Sequence, residues 1–273
     1  MHTESMTNAA PHTALTIAGS EATGGAGAQA DLKTFQARGV FGMVALTCIV
    51  SFDPKNDWGH RFVPVDPQVI ADQLEAEFSC YTPDAVKIGM LGTPTTIDTV
   101  ATALSTYKPK NLVLDPVLIC KGQEPGAALD TDNALKTQIL PLATFVTPNH
   151  FESMALSGMA AIENLDDLVA AAKAIHEKSG AAVLAKGGVR IEGPDALDVF
   201  YDGSTLEVLS APKVGEHAVS GAGCSLAAAV TAELAKGASP LDAARAAKEF
   251  VTRGIQARVS SNAPFDALRQ LNN

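Results

Sequence analysis

Aromatic residues are scarce, 5% of the 273-residue chain with a single tryptophan, so alanine, leucine and valine must carry the core. Charge is also sparse at 18%, and cations are outnumbered. A net charge of −10 and a pI near 5.0 exclude a general nucleic-acid binder, which needs a basic face. They do not exclude an anionic nucleotide, because local N–H groups, one lysine and a metal can reverse the field at a site. The four cysteines, Cys48, Cys80, Cys120 and Cys224, form no CxxC pair. With no signal peptide and no apolar run able to span a bilayer, free thiols in the cytoplasm are expected, with no membrane partner. No linker, repeat or low-complexity tract divides the chain. A polar, aperiodic tail is expected over residues 1–12, expected to be disordered, and one domain over 13–273. At 47% hydrophobic, that length supports one large core.

Short apolar runs alternate with helical patterns. Strands are predicted at Leu15–Ala18, Met43–Val50, Ala85–Ile88, Leu112–Asp115, Thr144–Val146 and Ala182–Ala185. Helices are predicted from the turn at Gly24–Gly27 to about Arg38, at Pro67–Phe78, Pro94–Ser105 and Leu165–Lys178, and near Gly223–Lys236 and Pro240–Arg258. Leu197–Tyr201 and Thr205–Leu209 flank Asp202-Gly203, a hairpin signal. Gly237 offers a helix stop, and Ser239 before Pro240 an N-cap. The alternation predicts an α/β fold with a central, mostly parallel sheet flanked by helices on both faces. Ligands of such sheets bind beyond the C-terminal strand ends, where Gly19, Asp115, Asn149 and Lys186 fall.

The densest chemical signal is Ser220-Gly221-Ala222-Gly223-Cys224-Ser225, running into the apolar stretch Leu226–Val230. Small residues allow a tight turn, and a helix starts inside it. Backbone N–H groups and the positive helix end then face one point, suited to an anion or to charge developing in a reaction. A thiol placed there is expected to have a lowered pKa and to serve as thiolate, base or nucleophile. A glycine-rich turn around an inert buried cysteine is the alternative on this motif alone. The second glycine cluster, Gly19 to Gly27, fits neither a Walker loop nor GxGxxG and by itself reads as a strand–turn–helix connection.

Taken in order, AGS-x-x-x-GGAG-x-QADLKT, GMVALT, KIGMLG, DPV, TPN-x-x-E, KGG and GAGCS resemble one family from about Leu15 to Ala257. It is the vitamin-kinase branch of the ribokinase-like superfamily, which includes hydroxymethylpyrimidine(-phosphate) kinases and the pyridoxal kinases similar to them. The resemblance implies a ribokinase-like sheet with small flaps over the substrate. It implies ATP and a divalent metal, Mg²⁺, phosphorylation of a hydroxymethyl group on a heteroaromatic ring, and a homodimer. Leu118-Ile119-Cys120-Lys121-Gly122 after Asp115-Pro116-Val117 is similar to a dual-cysteine subgroup of pyridoxal kinases, with a lid cysteine and an anion-hole cysteine. A lid thiol adds reversibly to the aldehyde of pyridoxal; packing as a small apolar residue is the alternative for Cys120.

By motif, Cys224 would take the proton of the substrate hydroxymethyl or orient it, and Gly221, Ala222, Gly223 and Cys224 would form the anion hole. Asn149, Lys186 and Gly188 would join Gly221 and Gly223 on ATP, with Asp115 and Glu152 positioning the metal. Gly19, Asp31, Phe52, Met90 and Cys120 would contact the substrate. For Glu152 a solvated helix-start carboxylate, for Lys186 a surface lysine, and for Met90 a core residue are the alternatives. The chain departs from the family at Ser220, where histidine is usual; His217 is close but in a different register. Glu21 stands where aspartate is commoner, and Phe52 replaces a glutamine that reads the aminopyrimidine edge. Phe52 cannot make those hydrogen bonds but can stack on a pyridine, which favours pyridoxal, pyridoxine or pyridoxamine over hydroxymethylpyrimidine (phosphate) as substrate. The thiamine-type activity, alone or as a second activity, is the rival, and a non-catalytic vitamer binder the reading from another class. Trp58 and His60 belong either to a flap or to a surface loop.

Overall fold

The computed structural model describes residues 10–118, 125–215 and 217–272, with backbone alone for 125–128. Among the described residues, nine strands form one sheet in the order β3-β2-β1-β4-β5-β6-β7-β8-β9. They are β1 (Thr13–Glu21), β2 (Phe41–Asp53), β3 (Gly59–Pro64), β4 (Ala85–Ile88), β5 (Leu112–Leu114), β6 (Phe145–Val146), β7 (Ala182–Gly188), β8 (Asp195–Tyr201) and β9 (Leu206–Pro212). The run from β2 to β7 is parallel; β3, β8 and β9 add antiparallel edges. The central strands β4, β5 and β6 are buried at every residue, as parallel strands covered on both faces must be.

The helices are α1 (Gly27–Ala37), α2 (Pro67–Cys80), α3 (Pro94–Tyr107), α4 (Pro125–Ala134), α5 (His150–Ser157), α6 (Leu165–Ser179), α7 (Ala222–Ala235) and α8 (Pro240–Gln256). Strand alternation sorts them into two layers. Leu112 and Leu114 pack with Ile70, Ile97 and Ile175 of α2, α3 and α6, whereas Val113 joins Ala227 and Phe250 of α7 and α8 on the other face. Starts are fixed by side chains: Asp66 accepts the Gln68 N–H, Thr93 the Thr96 N–H and Ser239 the Asp242 N–H, each ahead of a first-turn proline. Helix α7 is buried almost all round, and its alanines let it sit between the sheet, α1 and α8.

Two features go beyond the sequence reading. β2 runs on to Asp53 and folds back as β3 through Asp57 and Trp58, both at positive φ (46° and 55°), forming a flap hairpin. Of the expected tail, His12 is held: its carbonyl accepts the Phe41 N–H at 2.8 Å. Ladder irregularities fall in two places, near Gly19 in the β1–β2 pairing and at Gly187 in the β7–β8 pairing. Both lie at the C-terminal end of the sheet, where a bulge re-aims the chain.

Candidate active site

Beyond β1 the chain turns through Thr23–Ala26 into α1. Glu21 organises this turn. Its carboxylate accepts the Thr23 N–H and hydroxyl, both at 2.6 Å, and the Gly25 and Ala26 N–H groups at 3.2 and 3.3 Å. The departure from aspartate thus places a carboxylate that clasps the loop. Gly27, at φ 62°, lies against the Gly19 carbonyl, where any side chain would collide. Helix α1 has no side-chain N-cap, so its first N–H groups point outward from the turn.

The second turn meets the first. Gly221, at φ 77°, is the N-cap of α7 and approaches the Gly25 carbonyl so closely that a Cβ could not fit. No side chain caps α7 either. Cys224 lies in its first turn, half-buried, and its sulfur accepts the Gly27 N–H. Two uncapped helix N-termini therefore converge on one thiol. The expected lowering of its pKa is corrected here. Burial pushes the Cys224 thiol up to about 11, Asp115 and Asp31 add to this, and the Lys87 ammonium and the Gly27 N–H only partly oppose it.

Under this point Lys87 of β4 and Asp31 of α1, each 0% exposed, pair at 2.9 Å. Asp31 Oδ2 also accepts the Thr16 hydroxyl at 2.7 Å, while Oδ1 is buried with no partner. Burial raises the Asp31 carboxyl against the pull of Lys87. For Lys87 burial acts downward, but Asp31, Cys224 and Asp115 outweigh it and the net is upward. Sequence reasoning missed Lys87, whose only signal is a lysine inside an apolar strand. A side chain on Gly19 would meet Cys48 Sγ at 2.5 Å and Met90 Sδ at 3.7 Å, so these three share one wall. Thr47 Oγ1 donates to the Met90 carbonyl at 2.6 Å and fixes that segment. Phe52 lies on the flap, its ring against His60 (4.8 Å between centroids) and Phe265 (4.7 Å). Cys120 lies outside the described residues.

On the far side of Cys224 stand the charged residues. Lys186 Nζ donates to Asp115 Oδ1 at 3.3 Å, and Thr147 Oγ1 donates to the same oxygen at 3.3 Å. A Cβ on Gly223 would lie 3.4 Å from Lys186 Nζ and 3.9 Å from Asp115 Oδ2. Burial pulls the Lys186 ammonium down, yet Asp115 and Glu152 carry it above its ordinary value. Lys186 is thus an interior, paired lysine and not a surface one. Asn149 and Glu152 form a capping box on α5: Asn149 Oδ1 accepts the Glu152 N–H at 3.0 Å, and Glu152 Oε2 accepts the Asn149 N–H at 2.7 Å. Glu152 is at a helix start, as its alternative reading held, but at 7% exposure it is not solvated. Burial pushes its carboxyl up to about 8, opposed by Lys186 and reinforced by Asp115.

Between β7, α7 and α8 opens a cleft with a cavity volume of about 180 Å³, lined by Gly188, Val214, Val219, Gly223, Val251 and Ile255. Lys186 reaches its inner end. Lys248 also lines it and donates to Asp198 Oδ2 at 2.7 Å, while Asp198 Oδ1 accepts the Gly187 N–H at 3.1 Å. This buried pair fixes the Lys186–Gly188 turn. An apolar slot ending in N–H groups and a lysine suits a flat base carrying phosphates. The apolar wall was missed because helix α8 reads only as an amphipathic surface helix. Of the residues expected on a nucleotide, Lys186, Gly188 and Gly223 line the slot, whereas Asn149 and Gly221 stand outside it. Among the described residues no three His, Cys, Asp or Glu side chains form a ready metal cage. Asp115 and Glu152, two hard carboxylates around Lys186, fit a Mg²⁺ that keeps several waters and leans on phosphates.

A family model described as phosphomethylpyrimidine kinase matches residues 21–267. The chain is 47% identical over 245 residues to the pyridoxine kinase of Bacillus subtilis (strain 168), covering 90% of each. It is 39% identical over 245 residues to the hydroxymethylpyrimidine/phosphomethylpyrimidine kinase of Rhizobium meliloti (strain 1021), covering 89% of this chain and 90% of that protein. Among solved structures, the pyridoxal kinase of Staphylococcus aureus in complex with AMP-PCP and pyridoxal superposes with a TM-score of 0.88 at 38% identity, covering 96% of this chain and 94% of the other.

Proposed function

The chain belongs to the phosphomethylpyrimidine kinase family, and from that premise we propose that it transfers the γ-phosphate of ATP to the hydroxymethyl group of pyridoxal, pyridoxine or pyridoxamine. The observation that carries the reading is the convergence of the α1 and α7 N-termini on Cys224, next in the chain to Gly223, which lines the apolar slot. Their N–H groups stabilise charge on a phosphoryl group in transit, with no reorganisation at the moment of reaction. The base of the nucleotide occupies the slot, with Lys186, Gly188 and Gly223 toward its phosphates, and Asn149 Nδ2 reaches them from the α5 cap.

On the vitamer side, the ring lies against Gly19 and Met90; Asp31, expected on the substrate, is instead fully buried with Lys87 and supports the site from within the core. Cys224 accepts the hydroxymethyl proton as that oxygen attacks. With its thiol held up to about 11, the sulfur is mostly protonated at neutral pH, and only the thiolate form accepts the proton, so turnover draws on that minor form and grows with pH. Asp115 and Glu152 would hold a Mg²⁺, which would supply charge neutralisation between the phosphates. The enzyme works in the cytoplasm as a homodimer, and the exposed cross-strand pair Ile49 and Val63 offers an apolar patch for the partner copy.

Hydroxymethylpyrimidine phosphorylation is the second reading, favoured by the 39% identity to the hydroxymethylpyrimidine/phosphomethylpyrimidine kinase of Rhizobium meliloti. Coupled ATP turnover with pyridoxal and hydroxymethylpyrimidine, on wild type and Cys120→Ala, separates them. The expected result is efficient turnover of pyridoxal, weakened in the variant, and poor turnover of the pyrimidine. Preference for the pyrimidine with no effect of Cys120→Ala would assign the enzyme to the second reading.

A further inference from the structure

The segment after α8 touches both glycine turns, helices α7 and α8, and the flap. Ser220, the residue before the Gly221 cap, donates its N–H to the Asp266 carbonyl at 2.9 Å and accepts the Leu268 N–H at 3.0 Å. Val259 and Ala267 exchange both backbone hydrogen bonds, at 2.8 and 3.0 Å, which holds the segment to the end of α8. A Cβ on Gly25 would lie 3.1 Å from the Ala267 methyl, so the segment also backs the first glycine turn. Gln270 Nε2 donates at 3.0 Å to Ser225 Oγ, which is fully buried next to Cys224. The Arg269 N–H reaches the Gly254 carbonyl of α8 at 3.3 Å, on the helix that walls the nucleotide slot. At its start the segment meets the flap. The Phe265 ring lies 4.7 Å from Phe52 and 6.0 Å, edge-on, from Trp58. On the same flap Phe62 packs over Gly92, two residues past Met90.

We propose that residues 265–270 are a positioning strap: they fix the phosphoryl-binding turn through Ser220 and seat the flap through Phe265, so the two halves of the site are set together. Phe265 is the positioning residue, and it touches no reacting atom. This deepens the kinase reading and rests on it. Leu268 anchors the strap in the core while Phe265 to Ala267 are half-buried, and the short continuous chain joins the turn at Ser220 to the flap ring contacts, so ordering the turn on a nucleotide is transmitted to the flap aromatics. The strap also gives Ser220 a role that its departure from histidine leaves open, as a backbone rung whose side chain is free to vary.

Trp58, the chain's single tryptophan, is the reporter. In wild type, a non-hydrolysable ATP analogue alone is expected to shift Trp58 emission and to tighten pyridoxal binding on the order of tenfold, a common allosteric coupling. In Phe265→Leu, which keeps apolar bulk but loses the ring contacts, the shift disappears and coupling falls toward unity. The KM for pyridoxal rises on the order of tenfold while the KM for ATP holds. Phe265→Tyr restores wild-type behaviour. A wild type with no nucleotide-induced shift, or a folded Phe265→Leu that keeps both shift and coupling, overturns the strap. Absence of turnover with either ring would instead overturn the kinase reading, because the fluorescence response does not depend on turnover.

Discussion

At the phosphoryl end, Gly221 and Gly25 lie backbone against backbone and the working groups are N–H donors and one sulfur; at the flap end, Phe52, Trp58, His60 and Phe265 pack ring against ring. The first surface is built from the main chain, so a side chain added at Gly27 or Gly221 collides with a backbone carbonyl. The second is built from side chains on an edge hairpin, where substitution changes shape without breaking the fold. Chemistry common to a family belongs on the first surface and ring selectivity on the second. On the function proposed above, that division fits the similarity of this chain to both a pyridoxine kinase and a pyrimidine kinase.

The contrast breaks most sharply at Cys224. Cys224→Ala is expected to lower kcat by ~10²- to 10⁴-fold, the range for a proton-transfer group, with KM for either substrate changed little. Steady-state kinetics showing normal kcat would remove the thiol from the chemistry. Gly221→Ala comes next. It places a methyl group at φ 77° against the Gly25 carbonyl, which should cost ~1–3 kcal/mol of stability and most of the turnover; a thermal melt equal to wild type would show that the turn yields.

Glu152 gives a smaller, pH-dependent effect. Its carboxyl is held up to about 8, so a proton competes with the cation below that pH. Apparent Mg²⁺ affinity should rise as pH climbs through that value in wild type and stay flat in Glu152→Gln. A flat wild-type profile would place the cation elsewhere. The mildest change is Phe52→Gln on the flap, expected to move the ratio of pyridoxal to hydroxymethylpyrimidine turnover about tenfold toward the pyrimidine, with stability unchanged.

The same contrast explains what was legible. The phosphoryl end is written in consecutive residues, Gly24 to Gly27 and Gly221 to Cys224, and its motifs fall at strand ends that apolar runs already mark. Lys186, Asp115 and Glu152 stand at strand ends and a helix start that the sequence marks, but their burial and pairing depend on layers supplied by distant helices. Lys87 was overlooked because a charge inside an apolar strand carries no spacing signal; only the approach of α1 brings Asp31 to it. The flap was hardest to read. β3 is short and half-exposed, its turn uses Asp57 and Trp58 at positive φ in place of glycine, and its aromatic cluster is completed by Phe265 from the far end of the chain. The thiol pKa was misjudged for a related reason: the helix terminus is visible in sequence, while the burial that outweighs it is not.

The measurement that bears most directly on the central claim is kcat/KM for pyridoxal as a function of pH, for wild type and Cys224→Ala. If Cys224 accepts the hydroxymethyl proton with its thiol held at about 11, the thiolate fraction grows with pH and wild-type kcat/KM climbs from neutral pH toward that value. Cys224→Ala then stays low and loses the climb. A wild-type profile that is flat above neutrality, or one that still climbs in Cys224→Ala, would contradict the account.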